Sequence, residues 1–467
     1  MHSPTDTIAA ISTPPGKGGV AVIRISGEGA TAVAAKVFRT PNGAPVSTFT
    51  PRHAAYGRII SEGEVIDDVV LTYFKAPASY TGEDTVEISC HGGILVTREV
   101  LRAVLSAGAR AAEAGEFTRR AFICGRLSLS EAEAIGTLLS AESEEQLRLA
   151  QEPSRRRLTD KIADIRGKLT GIMSSLFARI DYPDEDLGDY SDEELLTSLY
   201  NIKEDTERLV ATYKTGKAIT EGVRTVIFGK PNVGKSSLYN LLVGEDAAIV
   251  TDIAGTTRDV LSASLPLGRV VLRLHDTAGV RSSCDSEVEK IGIERATSLA
   301  RTAELVIAVF DLSTPPDESD REIIELLESL TAAKLAIFNK SDLAPSKEWG
   351  KLRTRVAALS DSVLEISAKR NTGAVVESLS REVDRLFTDK EIRTGADAIV
   401  HTARVHASLL RALDFLTAAT AALAVGHSQD TVASDIERAL AALSDSDARE
   451  VAEEVVADIF SRFCVGK

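Results

Sequence analysis

The chain has 467 residues, 44% hydrophobic and 26% charged, which suits roughly two to four globular domains and excludes a broadly disordered chain. A net charge of −15 excludes a generally basic nucleic-acid coat protein, so an RNA partner needs a local basic patch or a second protein. Cys90, Cys124, Cys284 and Cys464 are scattered and form no CxxC pair, which argues against a disulfide scaffold or a structural zinc site and for a reducing, cytoplasmic setting.

Residues 1 to about 120 mix Gly/Pro turns with short alternating strands. Met1–Ala10 lacks the basic-then-apolar pattern of a signal peptide. Val20–Ile25 reads as a strand with Val20, Val22 and Arg24 on one face; Leu71–Phe74 and Thr85–Ser89 read similarly, and Thr97–Ser106 as a helix. Residues 121–219 are mostly helical, with a helix starting near Leu127 and capped by Ser128 or Ser130. The acidic run Asp181–Asp189 reads as a solvated loop.

From about 220 to 384, β-branched runs alternate with helical patterns. Thr225–Phe228, Val270–Leu274, Leu305–Phe310, Leu335–Phe338 and Val363–Ile366 read as buried parallel strands. Helical periodicity returns from 385 to 467. Ala412–Val425, interrupted by Asp414, reads as a buried helix and not a membrane span, and no membrane partner is expected. The expected fold class is therefore an α+β N-terminal domain (1–120), an all-α domain built from both flanks (121–219 plus 385–467), and an inserted α/β domain (220–384). Two separate helical domains are the alternative.

Gly229-Lys-Pro-Asn-Val-Gly-Lys-Ser236 follows an apolar strand and opens a helix. Glycines there let backbone N–H groups converge on phosphate oxygens, and the helix N-terminus adds a positive dipole. Asn232, Val233, Gly234, Lys235, Ser236 and Ser237 are the candidate contacts, with Lys235 neutralising the β/γ-phosphates and Ser236 ligating Mg²⁺. Asp276-Thr277-Ala278-Gly279 ends the next strand, where Asp276 can hold Mg²⁺ through water and the Gly279 amide can sense the γ-phosphate. Asn339-Lys340-Ser-Asp342 ends a later strand; a carboxylate at Asp342 pairs with guanine N1–H and N2–H₂, which adenine cannot match. Ser367-Ala368-Lys369 would add an amide for guanine O6. In this order the four segments read as a GTP/GDP-binding domain, so the inserted domain is expected to be an α/β P-loop domain of Ras-like type.

The loop Thr251-Asp-Ile-Ala-Gly-Thr-Thr-Arg-Asp259 resembles the first switch of the MnmE (TrmE) family of tRNA-modification GTPases. The resemblance runs the length of the chain: Asp6-Thr-Ile8, Pro14–Val20, Tyr80-Thr-Gly-Glu-Asp84, His91-Gly-Gly93, Gly115–Phe122 and the terminal Phe463-Cys-Val-Gly-Lys467. It implies a GTP hydrolase that converts wobble uridines to the 5-carboxymethylaminomethyl form, together with an FAD-dependent MnmG-type partner in a heterotetramer and a tetrahydrofolate one-carbon donor (5-formyl- or 5,10-methylene-). It implies a homodimer whose G domains meet around K⁺.

By the same resemblance, Thr257 completes the Mg²⁺ shell beside Ser236. Asn232, Thr251, Ile253 and Thr256 supply K⁺ ligands, an ion able to neutralise transition-state charge as an arginine finger does. Val280 is apolar and cannot orient a water; the resemblance implies that Glu289, in Glu287–Arg295, takes that role through a bridging water. Arg24, Glu87, Arg126 and Lys467 match the folate positions, Arg126 standing where many members carry Lys. Cys464 is a candidate nucleophile toward uracil C6. Arg119-Arg120 and Arg155–Arg157 are the candidate basic spots for tRNA, though such arginines are more often a solvated helix face. The alternative is an Era/Der-type GTP switch in ribosome assembly, from which Arg24, Glu87 and the F-C-V-G-K tail discriminate.

Overall fold

The computed structural model describes residues 6–43, 45–46, 49–181, 191–243, 263–274, 298–370, 372–444, 456, 459–461 and 463–467. The chain divides into two compact units, one formed by residues 1–139 with 447–467 and the other by 140–446.

The first unit is built on a seven-stranded sheet in the order β3-β4-β5-β6-β2-β1-β7: β1 Ile8–Ile11, β2 Val20–Ser26, β3 Phe38–Arg39, β4 Ala54–Ser61, β5 Glu64–Phe74, β6 Thr85–His91 and β7 Arg110–Ala111. Only β1 and β7 pair in parallel; the other neighbours are antiparallel. Alternation sends Ile23, Ile25, Leu71, Val86 and Ile88 to one face, where they pack with helices Ala30–Val37 and Ile94–Ser106. The opposite positions of the same strands include Arg24 and Glu87, directly opposite one another in the β2–β6 register.

Helix Leu129–Leu139 starts at the earlier of the two candidate caps. The Ser128 hydroxyl accepts from the Glu131 amide and the Glu131 carboxylate accepts from the Ser128 amide, while Ser130 lies inside the helix.

The second unit joins a helical bundle to a six-stranded sheet. Helices Glu152–Asp181, Asp192–Ala211, Ala403–Ala424 and Gln429–Ser444 share one apolar core, including Ile165, Leu169, Leu199, Leu409, Leu416 and Ile436. Along Glu152–Asp181 the core residues Leu158, Ile162, Ile165, Leu169, Ile172 and Leu176 recur at four- and three-residue spacing, as a helix burying one stripe requires. Helix Ala403–Ala424 is long and apolar enough by composition to cross a membrane. Here Val405, Leu409, Ala412, Leu416 and Ala419 fill the bundle core and Asp414 lies on the exposed side.

Between the two helix pairs runs the α/β sheet, ordered β13-β12-β11-β8-β10-β9: β8 Val223–Phe228, β9 Ala263–Leu267, β10 Val270–Leu274, β11 Leu305–Asp311, β12 Ala333–Asn339 and β13 Ser362–Glu365. The five strands anticipated from β-branched runs are present and pair in parallel. All seven residues of β11 are buried. The sixth strand, β9, is antiparallel and was not anticipated: it carries Pro266, which only an edge position tolerates. Chain order reverses on either side of β8, with β10 on one flank and β11 on the other. The crevice at the carboxyl end of β8 is therefore a topological switch point, where open α/β sheets bind ligands.

Candidate functional site

The segment leaving β8 at that crevice is the phosphate loop. Gly229 and Gly234 have φ of +156° and +102°, and Asn232 lies in the left-handed region at φ +63°, which Asn tolerates better than most residues. Helix Lys235–Val243 begins immediately after Gly234, so its unpaired N-terminal amides face the loop. Lys235 folds back over the loop, its Nζ donating to the carbonyls of Gly229 at 2.7 Å and Lys230 at 2.8 Å. A Cβ on Gly234 would collide with Asn339 Nδ2. That close approach, with the positive φ, is why only glycine serves there.

Asn339 joins the phosphate loop to the Ser367–Lys369 segment, the candidate for base recognition. Its buried amide donates from Nδ2 to the Val233 carbonyl at 2.8 Å and accepts at Oδ1 from the Ala368 amide at 3.0 Å. Three segments far apart in sequence thus meet on one side chain. Lys340 has φ +62° and pairs its Nζ with Asp311 Oδ2 at 2.6 Å. Burial pushes the Asp311 carboxyl up, but Lys340 and the Ser313 hydroxyl and amide outweigh it and hold the group below its ordinary value. A hydrogen bond from Ser367 keeps the Asp342 carboxyl below its ordinary range, and Arg370 Nε lies 3.7 Å away. Asp342 is therefore an ionised acceptor, with Ser367 and Ala368 buried beside it and Lys369 exposed.

Several predicted site residues lie outside the described residues: Thr251, Ile253, Thr256, Thr257, Asp276, Thr277, Ala278, Gly279 and Glu289, and with them Val280, Cys284 and 182–189 of the acidic run. Among the described residues, no cluster of three or more His, Cys, Asp or Glu side chains is arranged to hold a metal ion. Ser236 and Asn232 lie on the phosphate loop, both exposed.

The first unit carries a second site. Arg24 and Glu87 form a cross-strand ion pair, Nε to Oε1 at 2.9 Å and Nη2 to Oε1 at 2.8 Å. The guanidinium sits over the rings of Tyr80, 5.0 Å from its centroid, and Phe117, 5.6 Å. Its third nitrogen, Nη1, is buried and has no hydrogen-bond partner in the structure. A buried orphan donor on a cation costs free energy, and an acceptor on a bound ligand removes that cost.

The tail reaches the same surroundings: Lys467 O accepts from the Phe117 amide at 3.2 Å, and Ser12 Oγ donates to Gly466 O at 3.0 Å. Phe463 is buried against Leu129, Ala132 and Phe460. Cys464 is exposed between these two anchors. Arg126 is exposed and runs past Gly82, two residues after Tyr80. Of the candidate folate residues, Arg24 and Glu87 touch, the Lys467 carbonyl bonds the Phe117 amide, and Arg126 flanks the Tyr80 loop. Sequence reasoning assigned no role to Tyr80 or Phe117, although both stand inside the quoted motifs. As for the basic spots, Arg120 is buried among carboxylates, whereas Arg119 is exposed.

Comparison with known proteins covers nearly the whole chain. The model described as the GTP-binding protein TrmE N-terminus matches residues 7–126, and the MnmE helical domain model matches 129–464. The protein named tRNA modification GTPase MnmE in Clostridioides difficile is 38% identical over 462 residues, covering 99% of both chains. Its namesake in Thermotoga maritima is 39% identical over 464 residues, covering 99% of this chain and 100% of that one. Among solved structures, Era bound to MgGDPNP and a segment of 16S ribosomal RNA matches 41% of this chain and 66% of that one, at 23% identity and a TM-score of 0.28. With both domain models matched and full-length relatives near 40% identity, the chain belongs to the MnmE family.

Proposed function

We propose that this protein is a GTP hydrolase of tRNA modification that converts wobble uridines at C5 to the 5-carboxymethylaminomethyl form. The reading rests on the full-length likeness to tRNA modification GTPases, with family models for the N-terminal domain and the helical domain matched as well. An Era/Der-type switch would need neither of those.

The amides around Gly234 and the start of helix Lys235–Val243 cradle phosphate, and Lys235 neutralises its charge. Asp342 selects guanine, with a backbone amide of the Ser367–Lys369 segment for its O6. Ser236 and Thr257 would hold Mg²⁺, and Asn232, Thr251, Ile253 and Thr256 would hold K⁺; bound there, the two cations offset charge that develops on the phosphates. Asp276 would hold Mg²⁺ through water, the Gly279 amide would report the γ-phosphate with Thr277 and Ala278 beside it in the same loop, and Glu289 would position the attacking water.

In the first unit, the orphan Nη1 of Arg24 fits an acceptor-rich ligand such as a tetrahydrofolate, with Glu87, Arg126 and Lys467 around it. The folate supplies a one-carbon unit, and Cys464 stands exposed as the nucleophile toward uracil C6. A homodimer, an FAD-dependent partner of MnmG type, tRNA and a cytoplasmic location complete the proposal. The proposed layout assigns 1–120 to the folate domain, 121–219 with 385–467 to the helical domain, and 220–384 to the G domain.

The test is mass spectrometry of wobble uridines in cells lacking the protein, with GTP turnover of the purified chain measured in potassium and in sodium. Loss of the modified nucleoside and faster turnover in potassium are expected. Unchanged nucleosides would refute the role. Cys464→Ser is expected to abolish modification and spare GTP turnover; modification at the normal level would remove Cys464 from the chemistry.

A further inference from the structure

The second residue of the phosphate loop is a lysine, and a cation in that loop suggests a second phosphate contact. The structure sends it elsewhere. The Lys230 ammonium lies 2.6 Å from Asp320 Oδ2 and 3.0 Å from Asp317 Oδ2, at the start of helix Glu318–Ser329. Its side chain is 12% exposed and that of Asp320 is fully buried. The two acids also close the N-terminus of that helix as a reciprocal capping box, so their positions are set independently of the loop. The other Asp320 oxygen, Oδ1, is buried and has no hydrogen-bond partner in the structure, so the Lys230 ammonium is what balances this carboxylate.

The main chain of the same residue meets a different partner: the Lys230 carbonyl accepts from Lys235 Nζ at 2.8 Å. We infer that Lys230 is a positioning residue for nucleotide binding: its side chain pins the loop to the Asp317–Asp320 cap, and its carbonyl thereby holds the Lys235 ammonium where phosphate arrives. On the far side of the loop, Asn339 grips the Val233 carbonyl, so the loop is held at both ends. Binding then needs no rearrangement of the loop, and affinity gains what the ordering would otherwise cost. Once nucleotide is bound, its own contacts hold the loop, so the lysine affects affinity and not turnover.

The inference rests on the nucleotide-binding reading. If the native chain bound neither GDP nor GTP, that reading would fail before Lys230 was tested. The experiment compares native protein with Lys230→Met and Lys230→Arg, measuring Kd for GDP by calorimetry and KM and kcat for GTP. Lys230→Met should weaken GDP and raise KM about tenfold, as expected when a buried charge-assisted pair is lost, with kcat within about twofold. Lys230→Arg should restore most of the affinity, because its guanidinium still bridges the two carboxylates.

Unchanged Kd in Lys230→Met with only a lower melting temperature would overturn the inference, because the pair would then serve stability alone. A fall in kcat at unchanged Kd would also overturn it, since the side chain would then act on the reacting phosphate. Should Lys230→Met fail to fold, Asp317→Asn removes only the exposed partner. A two- to threefold rise in Kd supports the inference, and no change overturns it.

Discussion

At the scale of single residues, the proposed selectivity for guanine rests on Asp342 staying ionised and Asn339 staying in place. Asp342 accepts from Ser367 and is already charged when a base arrives. Replacing it by Ala removes the acceptor for the guanine N2 amine, at about 1–3 kcal/mol or roughly five- to 150-fold in Kd. Inosine nucleotides lack that amine, so the same variant should lose less affinity for IDP than for GDP. Equal losses in calorimetric titrations would show that Asp342 does not read N2. The Asn-Lys-Ser-Asp signature was legible in sequence. The two-way grip of the Asn339 amide was not, since its partners Val233 and Ala368 are 106 and 29 residues away.

At the scale of elements, the β9–β10 hairpin is held at its tip by one arginine. Arg269 donates from Nη1 to the Asp389 carbonyl and from Nη2 to the Ile392 carbonyl and the Thr394 hydroxyl, and its backbone amide donates to Asp384 Oδ1. Gly268 precedes it at φ +61°, with Asp384 where a side chain would go. Burial raises the Asp384 carboxyl above its ordinary value despite the Arg269 amide and charge. The hairpin is thus tied to the segment running from helix Thr372–Phe387 toward the bundle. Arg269→Ala keeps the amide bond to Asp384 but leaves the Asp389 and Ile392 carbonyls and the Thr394 hydroxyl without the guanidinium, and should cost about 2 kcal/mol, lowering the thermal midpoint by several degrees. A midpoint equal to that of the native chain would show that the arginine holds nothing. β10 was legible as an apolar run, whereas β9 and its anchor were hidden by Pro266 and by the 115 residues separating Arg269 from Asp384.

At the scale of the whole molecule, the first unit closes through a charge cluster that spans its sequence. Arg110 binds Asp6 and Glu116, and Arg120, 7% exposed, binds Asp6, Glu83 and Glu116. The Arg110 guanidinium, then Arg120, holds the Asp6 carboxyl below its ordinary value. For Glu116, burial pushes upward, but Arg110, the Glu113 amide and Arg120 outweigh it and lower the group. With folded values below unfolded ones, the unfolded chain binds more protons and stability rises with pH in that range. The contribution is complete above the ordinary carboxylate values of about 4 and disappears as pH falls through the lower folded values. Urea midpoints for the native chain should therefore drop between about pH 5 and pH 3, and Glu116→Gln should flatten that drop. An identical acid profile in the variant would exclude the cluster as its source.

Local chemistry decided much of this protein before any folding. Glycines that permit positive φ, a lysine and serine at the mouth of a helix, a carboxylate after an apolar strand and β-branched runs all act over a few residues, and each leaves a readable pattern. Arg24, Glu87 and the terminal tail were legible only through likeness to a family, because a lone charge on a strand is usually solvated. Tertiary structure decided what depends on distance across the chain. It set Arg24 over Tyr80 and Phe117, brought Lys467 to Phe117, turned Lys230 from phosphate toward Asp320, and gave Asn339 its two partners. Those contacts follow from strand order and register, which bring together residues whose separation along the chain carries no trace of their meeting.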